Sequence, residues 1–244
     1  MGYASTQVST MEGVPSTTEL QIEALGYTSN QALRGSKILE TISVYSVEAG
    51  VPQQEKYTSV RPKRESNSCA LVRTSDPEQT ALISTVYRWG PGRPPRMHIQ
   101  PSDANVSVDQ AINDENIRGE EIKVKSKSML SRAQIFDTSF GKFEWHYSSR
   151  SERKACDADS LLILEDVDRG IAVARLIRDD RFRTPGSVKD SGGNGGRLVM
   201  DLSNWKTEKH ADADAMEAFI VASCILMLKR EADRFIDNNI AAVV

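Results

Sequence analysis

The chain has 244 residues, of which 39% are hydrophobic and 27% charged, the composition of a folded globular protein rather than a disordered one. Its 31 basic and 34 acidic side chains leave a formal charge of −3, too near neutral for an obligate nucleic-acid binder. Three cysteines (Cys69, Cys156 and Cys224) leave an odd thiol and exclude a small disulfide scaffold.

Residues 1–36 are rich in Ser, Thr, Gln and Gly, with short apolar pieces at Leu20, Ile22 and Leu25. So little apolar surface does not offset the entropy of ordering, and the segment reads as a poorly ordered leader. It lacks the basic start and apolar core of an export signal. With unpaired thiols, that points to a reducing, cytoplasmic setting. Gly2 with Thr6 matches the myristoylation pattern, but bulky Tyr3 beside the glycine disfavours acylation. No apolar run reaches the ~18 residues that span a bilayer.

Residues 37–244 read as one domain whose body has the period-two alternation of half-buried strands. Ile38, Glu40, Ile42 and Val44 alternate with Leu39, Thr41, Ser43 and Tyr45. Thr80–Trp89 is rich in β-branched and aromatic residues, which suit a pleated surface. In Lys142–Tyr147, Phe143, Trp145 and Tyr147 fall on one face, expected to point inward because three wet aromatics are costly. Ser160–Val167 and Ile171–Ile177 flank Asp168-Arg169-Gly170, a good hairpin turn. Arg197–Leu202 adds a strand, and Cys69–Thr74, Arg96–Gln100, Glu121–Lys125 and Arg132–Phe136 are weaker candidates. About ten to twelve short strands broken by turn signals predict a sandwich or a barrel. Three loops interrupt them: the proline-rich Trp89–Pro95, the acidic Gln100–Gly119, in which Val106–Ile117 has room for one or two helical turns, and Arg178–Gly196 with its glycine run around Asn194.

Ala215–Leu228 reads as a helix, with Asp212, Asp214 and Glu217 at its start and Lys229 and Arg230 near its end, as the helix dipole favours. At about 100° per residue, its apolar side chains cover nearly the whole circumference. A helix apolar all round is buried all round. A strand-rich chain achieves that by closing its sheet around the helix. The expected fold is therefore mostly β, a closed antiparallel β-barrel around a buried C-terminal helix near residues 215–230.

This arrangement resembles the tubby C-terminal-domain superfamily, with its LURP-one-related proteins and phospholipid scramblases. A narrower likeness, to fungal proteins of tubby-like architecture, lies in Phe143–Lys154 and Ala158–Glu165. The resemblance covers about residues 36–234. It implies a barrel with a central helix and binding of phosphoinositide or other anionic lipid. No basic contact residue of the family aligns to a particular position here. The Ca²⁺-binding segment and membrane helix of scramblases are not recognisable, which speaks against scrambling.

Motifs for catalysis are sparse. There is no nucleophile elbow, and His98, His146 and His210 are scattered. Cys and His spacings suit no zinc site, and the glycine run lacks the Lys and following helix of a P-loop. No cofactor or metal is expected. Charge is more informative: Arg61–Gln100 carries seven basic against three acidic residues, and Arg169–Lys189 six against two. The favoured reading is a non-enzymatic binding module that docks on anionic membrane lipid, or on an acidic partner, through a basic surface. Its core is the turn Ser148–Lys154, carrying Arg150, Arg153 and Lys154, with Glu152 and Asp157 as competing internal partners. At about 1 kcal/mol per cation, three give marginal attachment, so Arg93 and Arg96, or Arg181 and Arg183, are expected to assist. The alternative is a small-molecule or lipid carrier, or an enzyme, with its site at the barrel mouth.

Overall fold

A computed structural model describes residues 17–34, 41–63, 66–87, 94–101, 103–114, 116–128, 131–205 and 210–242. The strands are β1 (Thr17–Glu23), β2 (Ile42–Glu48), β3 (Val51–Val60), β4 (Cys69–Arg73), β5 (Ala81–Val86) and β6 (Arg96–Ile99), then β7 (Glu120–Ser126), β8 (Gln134–Thr138), β9 (Gly141–Tyr147), β10 (Ser160–Asp166), β11 (Ile171–Arg178) and β12 (Gly196–Asp201). Four α-helices accompany them: α1 (Ser29–Arg34), α2 (Val108–Asn113), α3 (Arg150–Ala155) and α4 (His210–Ala241). Each strand pairs antiparallel with its sequence neighbours, and β1 closes the ring against β12 from Thr17↔Asp201 to Ile22↔Gly196. The result is a closed twelve-stranded barrel, which leaves no sheet edge unpaired.

The helix α4 fills the interior. From Met216 to Leu228 it is buried on every side, and it shares one core with the inward residues of the strands. Phe219 packs edge-on against Phe136 of β8 at 5.9 Å and lies 5.4 Å from Phe143 of β9. From across the lumen, Tyr57 of β3 donates to Glu217 at 2.8 Å. Trp145 Nε1 of β9 donates to Ser223 Oγ at 2.9 Å. The inward aromatic face expected for Lys142–Tyr147 is present, with Phe143 and Trp145 fully buried.

Strand β3 was not among the expected strands, and two boundaries differ from expectation. Part of the expected leader is β1, whose Leu20 and Ile22 are buried in the core while Glu19 pairs with Arg197 at 2.8 Å. Leu20, Gln21 and Ile22 are its three buried side chains, and they suffice because the two flanking strands supply the hydrogen bonds and the rest of the core. Helix α4 also runs well past residue 230. Beyond Leu228 its polarity rises because it leaves the lumen, and there it packs against α1. Residues 1–16 and 35–40, including Gly2 and Ile38, lie outside the described residues.

The glycine run is a point of close approach. A side chain on Gly195 would collide with the Ile22 carbonyl oxygen, and one on Gly192 with the Phe235 ring. The segment is buried from Ser191 to Leu198, and Gly192 bridges to Tyr27 through a 2.9 Å hydrogen bond to its carbonyl.

Candidate functional site

Strand β10 is apolar on both faces. Leu162 and Leu164 point into the lumen, yet outward Leu161 and Ile163 are also buried. A run such as Leu161–Leu164 demands cover on its outer side. Part of that cover comes from α3, which packs on β10.

The expected turn at Ser148–Lys154 is thus a short helix. Ser149 caps it: its hydroxyl accepts from Glu152 N, and the Glu152 carboxylate accepts from Ser149 N at 2.7 Å, a reciprocal capping box. Hydrogen bonds from Ser149 hold the Glu152 carboxyl below its ordinary range. That engagement removes Glu152 as a partner for its neighbours. Arg150 and Lys154 are exposed, Arg153 is half-buried, and none of the three has a carboxylate within 4 Å among the described residues.

The assisting arginines are placed otherwise. Arg181 holds Asp179 at 2.6 Å and Asp157 at 3.5 Å. Arg183 holds Asp180 at 2.6 Å and Asp159 at 3.3 Å. Both lie on the α3 side of the barrel, but their charges are matched by these acids. Asp157, a competitor for Arg150 and Arg153 by sequence distance, is taken by Arg181 because the β11–β12 connection folds back over the start of β10. Arg96 is half-buried on β6, away from α3 along the sheet order. Arg93 lies outside the described residues.

Between α3, the β7–β8 connection and the outer faces of β9 and β10 lies a cleft of about 740 Å³. Its charged lining is Lys127, Arg132, Glu144, His146, Arg153 and Glu165. Lys127 pairs with Glu144 at 3.0 Å, and His146 Nε2 lies 3.5 Å from Glu165. Arg132 has no carboxylate partner among the described residues and lies over the Tyr147 ring at 5.8 Å. Ser148 Oγ and Arg153 Nε are buried without a hydrogen-bond partner. Sequence reasoning found Arg153 from its local charge run. It missed Arg132 and Lys127, which only barrel closure brings beside α3.

A second cleft, of about 230 Å³, adjoins it at the barrel end where α4 emerges. Arg132 and Tyr147 belong to both, and Asp190, Glu231, Arg234 and Phe235 complete the second. Glu231 is the hub of a buried network: Arg178 donates to it through both terminal nitrogens, and Tyr147 OH donates at 2.9 Å. Burial pushes the Tyr147 phenol well up, so it is a proton donor throughout the physiological range.

Ser84, His98 and Glu121 stand in one cross-strand row, but the Ser84 hydroxyl is fully buried and makes no bond to the ring. Burial pulls the His98 pKa down. Burial pushes the Cys224 thiol up to about 12, leaving it inert. Among the described residues no His, Cys, Asp and Glu cluster could hold a metal ion, and no helix is long and apolar enough to cross a membrane. Comparisons with protein-family models, with curated proteins and with solved structures find no match.

Proposed function

We propose that this protein is a non-enzymatic docking module that attaches to anionic membrane lipid through α3. The observation that carries this reading is α3 itself, a capped surface helix with no buried residue, whose three cations have no carboxylate partner among the described residues. Its one acid is turned back onto the cap, so the helix presents a net positive face. Arg181 and Arg183 drop out because their charges are already matched. At about 1 kcal/mol per cation near an anionic surface, attachment is weak and salt-sensitive, and it calls for a second contact. The lumen speaks against a carrier: α4 occupies the space in which a barrel would hold a ligand. On architecture, and on the likeness of Phe143–Lys154, we also propose kinship with the tubby-like superfamily.

Co-sedimentation with phosphatidylcholine vesicles, with and without phosphatidylserine, tests the docking. Wild-type protein is expected to pellet only with the anionic vesicles and to be released by salt. The R150E/K154E double variant, and R150E/R153E/K154E, are expected to lose this binding with nearly unchanged melting temperature. Equal pelleting of wild type and variants overturns the proposal.

A further inference from the structure

The two adjoining clefts carry a separate inference. We propose that they form one bent groove that binds an extended acidic peptide segment of a partner protein. Three guanidiniums without a carboxylate partner among the described residues line it: Arg153 in the larger cleft, Arg132 in the shared wall and Arg234 in the smaller one. Lys127 is matched by Glu144, and Glu231 by Arg178. A guanidinium fork suits a carboxylate, bonding it bidentately.

The rest of the lining decides the class of ligand. The larger cleft lies in the ~300–1,000 Å³ range of ligand sites. The adjoining compartment extends it around Arg132, a shape a chain fills better than a compact headgroup. Acceptors share the lining: the Glu165 carboxylate, beside His146, is 43% exposed, and Asp190 has no cationic partner among the described residues. Those carboxylates disfavour a ligand that is anionic throughout, whereas a peptide with separated acidic side chains can set its N–H groups against them. The Ser131 hydroxyl accepts from Ala133 N at 3.0 Å and the Ser160 hydroxyl from Arg178 at 2.8 Å, which leaves the proton of each to donate to a peptide carbonyl. The barrel is closed, so the peptide cannot add to the sheet as a strand, and side chains alone must hold it.

The test uses blocked octapeptides of Ser, Ala and Val carrying two glutamates at varied spacing, each with its glutamine counterpart, titrated calorimetrically into the full chain. At least one glutamate peptide is expected to bind, and its glutamine counterpart about tenfold or more weakly. R132E and R234E are expected to lose peptide binding by a similar factor while melting and binding phosphatidylserine vesicles as wild type does. R150E/K154E is expected to keep the peptide. Lack of binding by every glutamate peptide at about 1 mM overturns the inference, as does equal binding of the glutamine forms. Joint loss of vesicle and peptide binding in R132E and R234E also overturns it, since the groove would then be part of the membrane face. Failure of vesicle binding alone leaves the groove standing and removes only the membrane reading.

Discussion

Glu217, Ser223 and Glu231 are polar positions on a helix that otherwise fills an apolar lumen, and each bonds to a strand residue: Tyr57, Trp145 and Arg178. Spaced along α4, these pairs fix its rotation and depth, which apolar packing alone specifies poorly. One half-buried acid works against stability. Asp233 has its pKa raised, first by burial and then by Asp237. A carboxyl whose folded pKa exceeds its unfolded value favours the fold below the unfolded pKa and loses that contribution as pH rises through the folded one. Asp233→Asn, which keeps an acceptor for Asn67, is therefore expected to raise the urea midpoint at pH 7. The advantage should shrink to nothing as pH falls below about 4. A midpoint at pH 7 equal to or below wild type contradicts this.

At the scale of elements, α3 shows how much a short helix depends on its cap. Six residues do not form a stable helix alone, because nucleation is costly. The Ser149–Glu152 capping box and contact with β10 hold it. Glu152 has a depressed pKa, so its contribution is present above the ordinary carboxyl value and is lost as pH falls through the lowered one. Ser149→Ala is expected to cost about 1 kcal/mol and to speed amide exchange of Glu152 and Arg153 specifically. Unchanged exchange there would mean that packing on β10, and not the cap, holds α3. Residues 148–154 had the chemistry of this element legible in their order, Ser149 three residues before Glu152 and three cations nearby. Its helical form was not read, because a connection between two strands is more often a turn.

Over the whole molecule, closure depends on β1. Deleting residues 1–24 is expected to expose the edges of β2 and β12 and open the lumen over α4, giving aggregation in size-exclusion chromatography. A folded, monomeric deletion variant would show that the barrel closes without this strand. Gly195→Ala tests the same seam by a smaller change, since the added methyl meets the Ile22 carbonyl. It is expected to lower the melting temperature by several degrees, and a melting temperature equal to wild type would show that the seam relaxes freely.

Periodicity by itself determined the strand-rich body, the inward face of Phe143 and Trp145, and the buried helix. These are local: alternation with period two and an apolar surface around a helix follow from neighbours in the chain. The run Leu161–Leu164 read only as part of a strand, and its need for cover on the outer face emerged with the fold. Tertiary structure alone decided the place of β1, whose short apolar pattern acquires meaning only between β2 and β12. It alone decided which arginines keep their charge available. Arg181 and Arg183 meet acids because two distant connections fold together, whereas Arg132 and Arg153 face a cleft because barrel closure brings β7–β8 beside α3. Charge availability depends on which groups lie within a few ångströms, and that distance is set by closure of the barrel rather than by sequence separation.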